Sequence, residues 1–425
     1  MVNKLNKRDF LRFASAGTVL AASGAATTGA AAAQDCSDPL AGLKSMTGGV
    51  EGISLDERKA RIEKAQGLMA KNGIDAMFLD SGTGLEYFTG VRWGRSERML
   101  AAVIPAEGEL KYVSPAFEEE RLRQLMTIGS DVRVWEEHES PYERVAQILD
   151  DLNVSKGTIA MEERVRFFLF DGIRKQRPGA TYVSADPVTI QCRLYKSNNE
   201  LRLMKLAADI TIECYKTVIP MLEAGMSPQD FRDLTADIHT ALGAPGGRIG
   251  CSFGEATAFP HGSSKPQVLS EGDMVLMDGG CNIAGYRSDI SRTIVFGEPT
   301  ARQREIWNLE RQAQQAGFEA AKIGDPCENV DKAARKVIVD AGFGPDYKVP
   351  GLPHRTGHGI GMDGHEWGNM VRGNTTPLDV GMCFSVEPMI AIYGEFGVRL
   401  EDCAYMTPNG VAWFSQPSKS IEEPV

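Results

Sequence analysis

The sequence predicts two domains: an α/β domain near the N-terminus, then an α+β domain in which helices cover one side of a curved, mostly antiparallel sheet. Three observations carry this. Between about residues 53 and 187, short apolar runs alternate with stretches of helical period. After residue 193, two long helical patterns give way at Arg248 to strand-like runs punctuated by glycines at 250, 254, 262, 272, 279, 280 and 285. Helical patterns return at 301–323 and 327–341 before a last strand-rich region. A chain of 425 residues, 42% hydrophobic and 24% charged, is long enough for two sizeable cores.

Residues 1–33 read as a targeting segment. Lys7-Arg8-Asp9-Phe10-Leu11-Arg12 resembles a twin-arginine export signal, with Lys in place of the first Arg. An Ala/Gly/Thr-rich stretch follows, and Ala31-Ala32-Ala33 offers a cleavage site before Gln34. The expectation is a periplasmic or otherwise exported protein, or a cytoplasmic one where the leader goes unused. Residues 34–52 are small and polar and read as a linker.

The N-terminal domain, 53–187, opens on the capping box Ser54-x-x-Glu57 and a helix carrying Ile62, Ala65, Leu68 and Met69 on one face, ended near Gly73. Ala76–Leu79, Ala102–Ile104, Tyr112–Val113, Val132–Trp135 and Thr158–Met161 read as strands. Helices are expected from about Phe117, from about Pro141 and after Met161. The second domain, 193–425, begins with another capping box, Ser197-x-x-Glu200, and an amphipathic helix to about Leu222, closed by Gly225. Ser227-Pro228 starts the next helix, to about Leu242.

Formal net charge is −11, and the leader contributes +3 (Lys4, Lys7, Arg8 and Arg12 against Asp9), so the remainder is more acidic still. That argues against a nucleic-acid or anionic-membrane partner. No segment beyond the leader approaches the roughly 20 continuous apolar residues of a membrane helix. The eight cysteines are scattered and form no C-x-x-C pair, which leaves no zinc-ribbon or redox motif; they read as small buried residues.

Four of the six histidines fall in two short stretches: His261 in F-P-H-G, and His354, His358 and His365 in P-H-R-T-G-H-G-I-G-M-D-G-H-E. Asp278 ends an apolar run, and Asp289, eleven residues on, precedes a β-branched one. A hairpin turned near Asn282–Gly285 would bring both carboxylates to one face. Glu387 and Glu401 likewise follow strand-like runs. Carboxylates among apolar neighbours are costly unless paired with cations. Asp278, Asp289, His358, Glu387 and Glu401 are a ligand set suited to two divalent cations held close together.

With these residues in place, the region from about Arg193 resembles the creatinase/prolidase/methionine aminopeptidase superfamily, whose catalytic domain has the pita-bread fold. The two-domain arrangement is similar to its prolidase and aminopeptidase P branch, with bacterial Xaa-Pro dipeptidases nearest. L-E-Y-F-T-G-V-R-W-G, W-E-E-H-E-S-P-Y and G-L-P-H-R-T-G-H-G carry the likeness. The resemblance implies that Asp278 ligates one metal, His358 and Glu387 the other, and that Asp289 and Glu401 bridge both. It implies Glu387 as general base, His261 and His365 as hydrogen-bond partners of the scissile carbonyl and oxyanion, and His354 at the leaving-proline pocket. Arg399 would orient the site and meet the substrate carboxylate. It further implies two divalent ions, manganese first with cobalt, iron or zinc admitted, a small peptide substrate and a homodimer. Trp93 and Arg95–Arg98 read either as the border of a neighbouring subunit's site or as a plain surface loop. Glu387 and Glu401 are only fourteen residues apart, a shorter span than in many prolidases, which leaves aminopeptidase P-like action on longer peptides open. A non-peptidase hydrolase or lyase on the same scaffold is the other alternative.

Overall fold

The computed structural model describes residues 40–425; the expected export signal and residues 34–39 of the expected linker lie outside the described residues. Helix α1 (Leu55–Asn72) forms where its capping box predicts. The Ser54 side chain accepts from Glu57 N, the Glu57 side chain accepts from Ser54 N, and Gly73 closes the helix in the left-handed conformation. Ile62, Ala65 and Met69 are buried and Leu68 half-buried, as the face requires, but Arg61 is buried among them.

The rest of the N-terminal domain follows as β1 (Ala76–Asp80), α2 (Thr83–Thr89), β2 (Ala101–Pro105), β3 (Lys111–Pro115), α3 (Glu119–Leu125), β4 (Asp131–Trp135), α4 (Pro141–Asp151), β5 (Thr158–Met161), α5 (Phe167–Gln176), β6 (Thr181–Ser184) and α6 (Asp186–Arg193). The six strands form one mixed sheet in the order β4-β3-β2-β1-β5-β6. Sequence reasoning misses α2, β6 and α6. Helix α2 has seven residues between Gly82 and Gly90, too short to form on propensity, and is held by burial of Leu85, Tyr87 and Phe88. Helix α6 runs across the expected domain boundary at 187–193.

The second half continues with α7 (Asn198–Val218), α8 (Pro228–Ala241), β7 (Arg248–Phe253), β8 (Met274–Gly280), β9 (Asn282–Ile283), β10 (Tyr286–Arg287), β11 (Ile290–Val295), α9 (Ala301–Ala320), α10 (Glu328–Asp340), β12 (Gly357–Gly359), β13 (Glu366–Met370), β14 (Cys383–Val386), β15 (Met389–Ile392), β16 (Phe396–Arg399), β17 (Asp402–Thr407) and β18 (Gly410–Trp413). Helix α7 stops four residues early: Pro220 lacks an N–H, and residues 219–221 tighten into a 3₁₀ turn. All pairings here are antiparallel, but the expected single sheet is divided. A three-stranded part, β11-β8-β7, and a five-stranded part, β13-β12-β14-β17-β18, meet where Ser291 and Glu401 exchange backbone hydrogen bonds, 3.2 Å each way. Helix α7 packs on α8 and β8–β10, and α9 on α10 and β14–β16. Trp307, Ile306, Met274, Ile390 and Leu400 belong to the main core.

Two sets of contacts tie the halves together. Arg61 reaches Glu200 Oε1 on α7 (3.0 Å), Tyr286 Oη (2.8 Å) and Tyr87 O (2.8 Å). Arg164 reaches Asp363 (3.0 Å), and Thr83 Oγ1 donates to the same carboxylate at 2.7 Å. Residues 46–51 of the expected linker are held rather than free: Met46 N bonds Leu242 O (2.9 Å) and Arg202 Nη2 bonds Glu51 O (2.7 Å). The seven cysteines among the described residues are free thiols, all buried except half-buried Cys251. No helix among the described residues is long and apolar enough to cross a membrane.

Two predictions follow from the packing. Arg292 and Asp402 form an ion pair at 2.8 Å with both side chains fully buried. Arg292→Met leaves the carboxylate without its cation, and denaturant unfolding is expected to show a loss of about 3–5 kcal/mol; a loss under about 1 kcal/mol contradicts this. Glu163 is pushed up from its ordinary 4.5 to about 7 by burial and by the adjacent Glu162 carboxylate. The fold favours its neutral form, so native chains retain a proton that unfolded chains release. Its contribution is full below about pH 4.5 and is lost as pH rises through about 7. Glu163→Gln is expected to flatten that part of the pH–stability profile and to exceed the parent at pH 7.5; an unchanged profile contradicts the assignment.

Candidate metal centre and active site

The seam between the two sheet parts is where the acidic residues converge. Strands β8 and β11 pair with Asp278 opposite Ser291 and Gly279 opposite Ile290, which places Asp278 on one strand and Asp289 just before the other. Tyr215 on α7 steadies both, donating to Ile290 O at 2.7 Å with Met277 O at 3.3 Å. Glu401 lies between β16 and β17, bridged to Ser291. Arg292 fixes that corner: Nη1 donates to Glu401 O (3.0 Å) and Nη2 to Asp402 Oδ1 (2.8 Å). Glu387 follows β14, and His358 is the middle residue of β12.

Glycine on each side of His358 is a packing requirement. A Cβ at 357 would lie 1.9 Å from Ser385 O, and one at 359 would lie 1.6 Å from Trp367 O. Only glycines let β12 sit so close to its neighbours, and this sets the imidazole over the carboxylates. His358 Nδ1 is 3.0 Å from Gly359 O, a pure acceptor, so Nδ1 carries a proton. Nε2 then faces Glu387 Oε1 at 3.1 Å, Glu401 Oε1 at 3.7 Å and Asp289 Oδ2 at 3.9 Å.

The donor atoms make three overlapping groups, each mutually within 4.8 Å: His358, Glu387 and Glu401; Asp278, Asp289 and Glu401; and Asp289, His358 and His365. All five expected ligands are thus brought together, and His365 joins them, a proximity that its spacing did not signal. The electrostatics call for cations. Burial and Asp278 push Asp289 up to about 7, and burial with Glu387 and Asp289 pushes Glu401 well above the usual carboxylate range. Burial opposes ionisation of Glu387 too, but the His358 hydrogen bond and charge, helped by Arg399, draw it down to about 2. Glu401 is 2% exposed, and its Oε1 has no hydrogen-bond partner among the described residues. An orphaned buried carboxylate oxygen, facing an imidazole nitrogen and two other acidic groups, fits a site for hard divalent cations.

The remaining candidates surround this cluster. His365 stacks on His358, ring centroids 3.9 Å apart, and its Nδ1 lies 3.1 Å from Arg355 Nη2. Arginine only donates, so Nδ1 accepts and the ring proton sits on Nε2. Burial, with the charges of His358 and Arg355, holds His365 down at about 4. His354 Nδ1 donates to Arg355 O at 2.7 Å, and Nε2 is buried with no hydrogen-bond partner among the described residues. His261 is exposed on the loop after β7. Arg399 Nε donates to Ser291 Oγ (3.0 Å), Nη1 to Pro260 O (3.0 Å) and Nη2 to Asp278 Oδ2 (2.6 Å). Three of its five N–H donors are thereby engaged within the protein. Ser291 Oγ, within 2.9 Å of Asp278 Oδ1 and 2.8 Å of Glu401 Oε2, is a site residue that sequence reasoning missed.

These groups line a cavity of about 560 Å³. Past His261 and Asp278 it continues into an open lobe of about 850 Å³ lined by Arg232, Lys265 and Gln267. Of the N-terminal loop, Arg95 Nε donates to Ser81 O at 2.9 Å, Trp93 stacks under Arg121 at 4.4 Å, and Arg98 pairs with Glu137 at 2.9 Å.

Known proteins share this architecture. Residues 61–195 match the creatinase/prolidase N-terminal domain and residues 202–408 match metallopeptidase family M24. An Xaa-Pro dipeptidase from Lactobacillus delbrueckii subsp. lactis is 31% identical over 369 residues, covering 85% of this chain and 98% of that one. A recombinant prolidase from Thermococcus sibiricus has a similar structure, with TM-score 0.79 and 27% identity over 86% of this chain and 98% of that one. Dipeptidase PepE from Mycobacterium ulcerans is similar too, with TM-score 0.79 and 29% identity over 86% and 97%. A likeness of this extent, over a seam built from four acids and a histidine, places the chain in metallopeptidase family M24, and it is a metallopeptidase.

Proposed function

We propose that the protein hydrolyses the peptide bond preceding proline in Xaa-Pro dipeptides. The observation that carries the reading is the convergence of Asp278, Asp289, His358, Glu387 and Glu401 on one seam, with Glu401 Oε1 lacking a hydrogen-bond partner among the described residues. Relatives named as Xaa-Pro dipeptidase and prolidase support the substrate class.

Asp278, Asp289, His358, Glu387 and Glu401 would hold two divalent cations, with Asp289 and Glu401 shared between them. When bound, such ions polarise a carbonyl and acidify water between them. Glu387 serves as general base, taking a proton from the attacking water and passing it to the leaving nitrogen. An Xaa-Pro bond offers no N–H for a protease to read, so a site that relies on polarisation and a shaped pocket suits it. His365, with its proton on Nε2, and His261, lining the same cavity, donate to the scissile carbonyl as negative charge develops on it. His354 Nε2 lines the side that takes the proline ring. Arg399 orients Asp278 and Ser291 and keeps an N–H on each of Nη1 and Nη2 for the substrate carboxylate. The oxygen-rich donor set with a single imidazole suits manganese, ahead of cobalt, iron or zinc. A homodimer and export of the chain belong to the same reading, checked by sedimentation and by fractionation of the native host.

A second reading, aminopeptidase action on longer peptides, is favoured by the open lobe beyond His261, which has room for further residues. Turnover of Gly-Pro, Ala-Pro and Ala-Pro-Ala, with each metal supplied in turn, separates the two. The dipeptides are expected to be cleaved at least about tenfold more efficiently than the tripeptide, a difference of about 1.4 kcal/mol in the barrier. Preference for the tripeptide transfers the assignment to the aminopeptidase, and no metal-dependent turnover of any of them removes both.

The division of roles is tested by metal content. His365→Ala is expected to retain its bound metal and lose about 10²–10³ in turnover, as for an oxyanion donor. Asp289→Ala is expected to lose both metal and turnover. Equal metal loss in the two variants contradicts the division.

A further inference from the structure

Packing does little to hold the loop that carries His365. His365 is exposed, and a Cβ on Gly364 before it would meet nothing within 4 Å. Polar contacts hold the loop instead. Asp363, two residues before His365, has three donors on its carboxylate. Thr83 Oγ1 donates to Oδ1 at 2.7 Å, and Arg193 Nη2 at 2.7 Å and Arg164 Nη1 at 3.0 Å meet Oδ2. All three donors lie in residues 61–195, the span that matches the N-terminal domain. Arg164 also reaches His365 itself, with Nη2 3.3 Å from His365 O. One residue past His365, Glu366 accepts from the same Arg193, from Lys196 Nζ at 3.0 Å and from Asp363 N at 3.1 Å. His365 therefore sits between two carboxylates that share one cation.

We propose that Asp363 is a positioning residue for His365, and that the N-terminal domain acts on turnover through it. The inference rests on the Xaa-Pro reading, in which His365 donates to the scissile carbonyl. A donor of that kind works only when correctly placed, and a misplacement of about 1 Å can cost on the order of 100-fold in rate. Without the Asp363 carboxylate, Thr83 and Arg164 lose their hold on the loop, and the backbone of His365 can swing about Gly364. Arg193 and Lys196 keep Glu366, so the loop loosens on one side only. The five expected metal ligands stand on or beside strands of the seam and stay where they are. The loss then falls on turnover and not on metal.

The test is a double-mutant cycle on the manganese-loaded full chain, with Ala-Pro and Ala-Pro-Ala as substrates and the faster peptide used for comparison. Asp363→Asn and Arg164→Gln are each made in the parent and in His365→Ala, and kcat, KM, bound manganese and melting temperature are measured. In the parent, Asp363→Asn is expected to lower kcat by about 10- to 100-fold, with KM within about twofold and bound manganese unchanged. Arg164→Gln, at a half-buried side chain that the fold can spare, is expected to lower kcat by about three- to tenfold, with Arg164→Lys recovering part of the loss. In His365→Ala there is no imidazole to place, and both substitutions are expected to change kcat by less than about twofold. A merely structural role lowers the melting temperature and kcat alike in both backgrounds. Equal kcat losses in the two backgrounds, a parent kcat that neither substitution lowers, or manganese loss in step with kcat overturns the assignment of Asp363 alone. A parent that cleaves neither peptide overturns the Xaa-Pro reading and this assignment with it.

Discussion

Four carboxylates crowd one seam of the sheet, and the rest of the catalytic half is arranged so that they cannot move apart. Asp278 and Asp289 belong to the paired strands β8 and β11, Glu401 is bonded through its backbone to Ser291, and Glu387 follows the strand beside His358. Arg399 offsets one of these charges, at Asp278. The remainder repel one another in surroundings where burial already disfavours charge, and Asp289 and Glu401 are pushed up accordingly. Divalent cations relieve that repulsion, and the scaffold keeps the ligands in place for them.

The support for this crowding comes from apolar and polar packing behind the seam. Trp307 on α9 donates to Thr293 O at 2.8 Å, Gln314 on the same helix reaches Asp402 Oδ2 at 3.1 Å, and Tyr215 approaches from α7. Arg292 joins β11 to the Glu401 corner through a buried ion pair with Asp402. The N-terminal domain acts on the other wall. Arg164 contacts Asp363 and His365 O, while Arg193 and Lys196 hold buried Glu366, so the loop carrying His365 is clasped from both sides. Rigid elements thus present the ligands, and a clasped loop presents the group expected to meet the substrate.

Much of this was legible in the sequence because its signals are local. Ser54/Glu57 and Ser197/Glu200 place helix starts to the residue, and the runs flanking Asp278 and Asp289 place the hairpin. The four carboxylates expected as ligands stand out because acids beside apolar strand residues are costly without a cation. What escaped depends on tertiary contact. Helix α2 is too short to be read from its period, and buried Arg61 is understood only when Glu200 and Tyr286 are beside it. Ser291 is hidden in a β-branched run, and Arg355 looks like any solvated arginine until the fold turns it onto His365. The role expected of Arg399 came from the resemblance; only the structure shows that it also holds Asp278, Ser291 and Pro260 O.

Calorimetric titration of the metal-free full chain with manganese, followed by a melt of the loaded and unloaded forms, decides whether the crowded carboxylates hold cations. Two ions per chain are expected, with a melting temperature that rises on loading, because cations bound only in the folded state relieve the carboxylate repulsion. Binding of no ion, or a melting temperature that does not respond to saturating metal, would contradict this expectation.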